Sequence, residues 1–138
     1  MKLGQAFAAR ADLEQEGVWI PVYGPKGDKA EILLARAGGR NSAYDAAMLR
    51  AGRPHRRLLE AGMAPPQLMD EILAEVYAET VVKGWRGLED EDGNPIPYSR
   101  AKAAELLRAH PDFCDFVRDA AMSAQTFTRI DSEVVAKG

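Results

Sequence analysis

The chain has 138 residues, of which 46% are hydrophobic and 28% charged, with a formal net charge of −3. That length supports one ordinary domain with its own core, and the absence of Ser- or Gln-rich tracts excludes a wholly disordered chain. A lone cysteine, Cys114, excludes an internal disulfide or a thiolate zinc site, and no apolar run approaches the roughly 18 residues that a membrane span requires. The start, "MKLGQAFAARADLEQEG", lacks the long apolar core of a secretion signal, so a reducing cytoplasm is the expected compartment.

In chain order, "GVWIPVYGPKGDKAEILLAR" carries the first clear pattern. Two β-rich runs, Val18–Tyr23 and Ala30–Arg36, flank a Gly/Pro/Asp segment suited to a turn, which predicts a β-hairpin within residues 12–36. Pro21 has no N–H to donate, so its strand belongs at an edge or turns that side outward. Ile32 and Leu34 point one way and Leu33 and Ala35 the other, so both faces of the second strand are expected to be partly covered. An isolated hairpin is marginal in water, hence helices must pack on it. "GPKGDKA" is not a phosphate loop, because the Gly-x-x-x-x-Gly-Lys-Ser/Thr pattern is missing.

Residues 41–84 read as helices. After the Gly38-Gly39 breaker, Asn41 or Ser42 offers an N-cap for an alanine-rich helix that stops at Gly52. "RPHRRLLEAG" adds a further turn or two, closed by Gly62. The strongest pattern is "PPQLMDEILAEVYAETVVKG", where Pro66 suits a first turn, Asp70 and Glu71 lie near the positive end, and Lys83-Gly84 close the helix. Leu68, Met69, Ile72, Leu73, Val76, Tyr77 and Val81 recur at three- and four-residue spacing and predict one broad buried stripe.

"WRGLEDEDGNPIPYS", residues 85–99, sets four consecutive acids beside a Gly-Asn pair and two prolines. A helix–loop–helix calcium loop needs Gly sixth and Glu twelfth; with Gly93 sixth, Leu88 falls first and Ser99 twelfth, and both fail. The expected reading is a turn spanning 85–98. In it Asp92-Gly93-Asn94 supply positive φ and local side-chain hydrogen bonds, and Pro95 and Pro97 stiffen the return to Tyr98 and the Ser99 cap. Trp85 and Tyr98 flank this turn, where they either pack as a hinge or present an aromatic anchor to a partner.

Two C-terminal helices are expected over residues 99–130, followed by a tail over 131–138. "RAKAAELLRAH" turns Ala103, Leu106 and Leu107 inward, and in "PDFCDFVRDAAMSAQTFTR" Phe113, Phe116, Val117, Ala120, Ala124 and Phe127 follow helical spacing. The whole is a mainly α, α+β fold: an N-terminal hairpin and four to five helices in one domain.

Charge is unevenly distributed. Residues 1–64 hold ten Lys/Arg against seven Asp/Glu, and residues 65–138 hold eight against fourteen. Six arginines, Arg36, Arg40, Arg50, Arg53, Arg56 and Arg57, stand in a stretch with one acid, Asp45. The acidic remainder would repel a polyanion and no nucleic-acid motif accompanies the arginines, so a solvated or protein-contacting face is expected. Opposite charge in the two halves predicts weak head-to-tail self-association through Arg53, Arg56 or Arg57, weakened by salt.

The stock of catalytic groups is thin. His55 and His110 are the only histidines. His110 precedes Pro111, where capping is a sufficient role, and Cys114 lies among phenylalanines, which suits a half-buried apolar residue better than a thiolate nucleophile. No catalytic residue, metal ligand or cofactor site is assigned.

Residues 78–127, "AETVVKGWRGLEDEDGNPIPYSRAKAAELLRAHPDFCDFVRDAAMSAQTF", resemble the C-terminal half of the tail assembly chaperones of long-tailed bacteriophages. The elements that carry the likeness are a helix ending at Trp85, the Asp92-Gly93 turn, the Pro-x-Pro-Tyr-Ser return, an Ala/Leu-rich helix and a last helix that begins Pro-x-Phe. Upstream, "DLEQEGVWIPV" and "ILLARAGGRN" look like the hairpin of the same family. The resemblance implies a non-enzymatic assembly factor of the host cytoplasm that binds the tape-measure protein, keeps it soluble, helps recruit tail-tube protein and is absent from the mature virion. Protein contact is assigned to Trp85, Tyr98, Arg53, Arg56 and Arg57. The alternative is a structural virion component, a head–tail connector or a tail-completion protein.

Overall fold

A computed structural model describes residues 2–6 and 11–128; the expected tail over 131–138 lies outside them. The elements are α1 (Leu3–Ala6), α2 (Ala11–Glu16), β1 (Val18–Tyr23), β2 (Lys29–Leu34), α3 (Ser42–Gly52), a 3-10 turn (Arg53–His55), α4 (Arg56–Glu60), α5 (Pro66–Thr80), β3 (Val82–Arg86), α6 (Arg100–Ala109), α7 (Pro111–Met122) and a 3-10 turn (Ala124–Phe127). The fold is mainly α, of the α+β class, as the pattern of elements predicts. No helix among the described residues is long and apolar enough to cross a membrane.

The expected hairpin forms, with its second strand at Lys29–Leu34 rather than Ala30–Arg36, and pairs from Val18 opposite Leu34 to Tyr23 opposite Lys29. β1 is an edge of the three-stranded antiparallel sheet, ordered β1-β2-β3, and this edge tolerates the missing N–H of Pro21. On the inner face, Ile20, Ile32 and Trp85 form one cross-strand row, and Ile32 and Leu34 are wholly buried. On the outer face, Trp19 and Leu33 lie beside Gly84, and the Arg86 guanidinium sits 4.1 Å above the Trp19 ring while its Nε bonds Glu31 at 2.9 Å. An aromatic ring and a cation therefore stack on this outer face.

β3 corrects the sequence reading, which runs the helix on through Lys83-Gly84. The helix ends at Thr80, and Val82–Arg86 joins the sheet against β2 with a bulge between Leu33 and Leu34. Thr80, Val81 and Val82 form a β-branched run that gains more from pleated packing than from another helical turn. Tertiary bonding then fixes the switch. The Val81 carbonyl accepts the Ala35 N–H at 2.8 Å, and Val82 and Trp85 pair across to β2.

α5 is the central helix. Ala74, Tyr77 and Ala78 join Ala103, Ala104 and Leu107 of α6, Val117 and Ala121 of α7, and the inner face of the sheet in the main core. The small alanines let α5 and α6 approach closely. Ile72 and Val76 turn instead toward Ala47 of α3 in a satellite cluster. Most of the expected stripe is therefore buried, but it is divided between two clusters, and Ala74 and Ala78 widen it.

α7 also ends earlier than the spacing of its apolar residues predicts. Ser123 is extended, with ψ 120, and Phe127 sits in the following 3-10 turn, buried against Leu13 and Val18. The Ala121 carbonyl accepts from the Ala37 N–H at 2.9 Å rather than from a next helical turn. This bond ties the end of α7 to the segment that leaves β2.

Asn41 does not cap α3 with its side chain. Buried, it donates from Nδ2 to the carbonyls of Arg36, at 2.8 Å, and Thr80, at 2.9 Å, and so links the exit of β2 to the end of α5. Nearby, Glu14 is 1% exposed and accepts the Arg36 guanidinium at 2.8 Å and the Arg40 N–H at 2.9 Å. Gly39 makes room for it, since a Cβ there would lie 2.1 Å from Glu14 Oε1.

Candidate protein-interaction surfaces

The acidic segment is a small hairpin built on its own backbone. The Asp90 N–H donates to the Asn94 carbonyl at 2.8 Å and the Ile96 N–H to the Leu88 carbonyl at 2.9 Å, with an isolated bridge between Glu89 and Pro95. Gly93 takes the positive φ, +82°. The side chain that organises the turn is Asp90, whose Oδ1 accepts the N–H groups of Asp92 at 2.9 Å and Asn94 at 3.0 Å. The expectation of a turn holds, but its polar anchor moves from Asp92 and Asn94 to Asp90. Glu89, Glu91 and Asp92 are left in solvent.

Trp85 and Tyr98 meet across this hairpin edge to face, with ring centroids 5.0 Å apart and planes at 81°. Trp85 is only 8% exposed, belongs to the main core and donates from Nε1 to the Ile96 carbonyl at 2.8 Å. Tyr98 is 38% exposed, and its hydroxyl donates to the Val82 carbonyl at 2.8 Å. Burial opposes the phenolate and outweighs the Arg100 charge that favours it, so its pKa is pushed up. Of the two sequence readings, the geometry is that of a packed hinge, with Trp85 inside it and only the rim of Tyr98 at the surface. Ser99 caps α6 as expected, accepting from the Lys102 N–H at 3.0 Å.

The arginine stretch does not remain one patch. Arg36 turns to buried Glu14, while Arg50 and Arg100 both reach Glu79, the latter at 2.9 Å, and so tie α3 and α6 to α5. Arg56 pairs along its own helix with Glu60 at 2.9 Å. Arg53 and Arg57 are exposed and make no ion pair with any described residue. Together Arg53 and Arg56 rim an open groove of about 470 Å³ where α3 turns into α4, floored by Met48, Leu49, Gly52 and Leu59. Sequence reasoning found the charges but not the floor, because no local pattern shows that Met48 and Leu49 face Leu59.

A second groove, of about 420 Å³, lies between the acidic hairpin and α6. Glu89, Asp90, Glu91 and Glu105 line it around Ile96 and Leu106. Lys102 also reaches it and bonds Glu105 at 2.6 Å, which holds that carboxyl below the ordinary carboxylate range. His110 stands at its edge; its carbonyl accepts the N–H groups of Phe113 and Cys114, while its side chain makes no cap, correcting the expected capping role only in that detail. Cys114 is half-buried, and burial pushes its thiol up, away from the thiolate.

The fold and these surfaces define a small, mainly helical α+β domain with a basic groove and an acidic groove drawn from different elements. The chain belongs to the YdaY prophage protein family, whose model matches residues 39–137, and it is therefore a phage-derived protein. The match begins at Gly39 and takes in α3 to α7 and β3, leaving the N-terminal hairpin outside. No curated protein and no solved structure matches the chain.

Proposed function

We propose that this phage-derived protein is a tail assembly chaperone. It binds apolar stripes on helical segments of the tape-measure protein in the host cytoplasm, keeps them soluble, helps recruit tail-tube protein, and leaves before the virion is complete. The observation that carries the reading is the resemblance of residues 78–127, which lies inside the span matched by a prophage family. A further feature supports it. Met63 and Met122 are 71% and 57% exposed, and flexible thioethers adapt to varied apolar partners. Each copy binds weakly, and coverage of a long client comes from many copies acting together.

The test is co-expression with the tape-measure protein of the same prophage. Client should move from pellet to supernatant and co-purify, with recovery rising with the length of client offered. Met63→Asp/Met122→Asp should lower recovery several-fold with an unchanged circular dichroism spectrum. A folded wild-type protein that leaves every client fragment insoluble overturns the proposal and favours the virion component.

A further inference from the structure

We infer that the basic groove of one copy receives the acidic hairpin of a second copy, giving a head-to-tail contact that can repeat. The observations are independent of the client. On one chain, an apolar floor of Met48, Leu49 and Leu59 is rimmed by Arg53 and Arg56, with Arg57 exposed beside them on α4. On the same chain, a projecting hairpin carries Glu89 and Glu91, neither held by an ion pair within the described residues, beside a floor of Ile96 and Leu106. The two grooves share no lining residue and come from different elements, α3 to α4 against the hairpin and α6. Each face thus carries the charge that the other lacks, beside an apolar floor that the contact would bury.

A second copy fits better than the other occupants. A polyanion drawn to Arg53 and Arg57 would leave the apolar floor of Met48, Leu49 and Leu59 unused. An acidic protein of another kind would satisfy the arginines but would leave the complementary acidic face unused. Because the two faces differ, the contact is heterologous, and each copy added leaves one basic and one acidic face open. Such a line, ring or spiral deepens the chaperone reading, since it would set successive copies along a rod-like client, but the contact is argued from this chain alone.

The experiment is sedimentation velocity and light scattering of the full chain, without client, across a concentration series. Its samples are the parent, Arg53→Glu/Arg57→Glu, Glu89→Lys/Glu91→Lys, and an equimolar mixture of the two variants. All four positions are exposed, and circular dichroism checks that each variant is folded. The parent should gain mass with concentration at low salt and return to monomer at roughly 0.5 M salt, where the Debye length is only a few ångströms. Each variant alone should stay monomeric at low salt. The mixture should regain mass, since the arginine-reversed copy keeps a native acidic hairpin and the glutamate-reversed copy a native basic groove. A parent that is monomeric throughout, a variant that associates like the parent, or a mixture that stays monomeric would each overturn the inference. Alanine versions of the same pairs should reduce association without reversing it. Client solubilisation is read separately, so loss of self-association does not by itself count against the chaperone reading.

Discussion

Asp90 and Gly93 show how little is needed to hold an acidic turn that could be mistaken for a metal loop. One carboxylate oxygen takes two backbone N–H groups, and one glycine takes the left-handed backbone. A Cβ at Gly93 would meet nothing within 4 Å, so any cost of Gly93→Val is backbone strain rather than collision. The expected loss is on the order of 1 kcal/mol, seen as a lower urea midpoint with an unchanged slope. Addition of calcium or EDTA should leave the melting temperature of the parent unchanged. Tyr77 gives a second residue-scale prediction. Burial, then the neighbouring Tyr44, raises its phenol pKa above the ordinary value. A raised pKa means that the folded state holds its proton longer, so this contribution is complete below the unfolded value of about 10 and is lost as pH rises past it. Stability should fall above about pH 10, and the fall should be shallower in Tyr77→Phe; alkaline denaturation followed by circular dichroism measures both.

At the scale of elements, the joints matter more than the helices. α5 becomes β3 within two residues, and the hinge that follows is held by two side chain to backbone bonds, Trp85 to Ile96 and Tyr98 to Val82. These bonds cross between the sheet and the acidic hairpin, so the position of that hairpin is set by the core and not by its own turn. The end of α7 is a similar joint. Its break lets Phe127 swing onto Leu13 and Val18, where it closes the open side of α2 and β1. Phe127→Ala should therefore cost about 3–5 kcal/mol, the usual range for emptying a buried Phe site. Chemical denaturation checks this, and a loss below about 1 kcal/mol would mean that the turn is not docked.

For the molecule as a whole, the sheet binds the N-terminal third to the rest. Ile32 and Leu34 of β2 lie at the centre of the core, yet the span matched by the prophage family begins after them, at Gly39. A fragment covering residues 39–138 would strip β3 of its paired neighbour, β2, and expose Val82 and Trp85. It should fail to fold cooperatively, giving a broad thermal transition and poor amide dispersion in NMR. Adding a peptide spanning residues 11–38 should restore the transition in part. A fragment that melts as sharply as the parent would show that the helices alone make a core.

The sequence by itself determined the hairpin, the Pro66 and Pro111 helix starts, the Ser99 cap and the Gly93 turn. Each rests on local chemistry: strand alternation, a missing N–H, a hydroxyl near free N–H groups, a glycine free to take positive φ. It also located the arginines and the acids that form the two faces. Tertiary structure fixed where α5 and α7 end, because distant N–H groups, of Ala35 and Ala37, take the carbonyls of Val81, just past α5, and Ala121, near the end of α7. It decided, too, that Glu14 and Asn41 are buried, that Trp85 is core, and that the arginine stretch divides between structural ion pairs and an exposed groove. Those outcomes depend on which segments meet after folding, and a side chain's partner across 20 or more residues leaves no periodic mark in the chain that carries it.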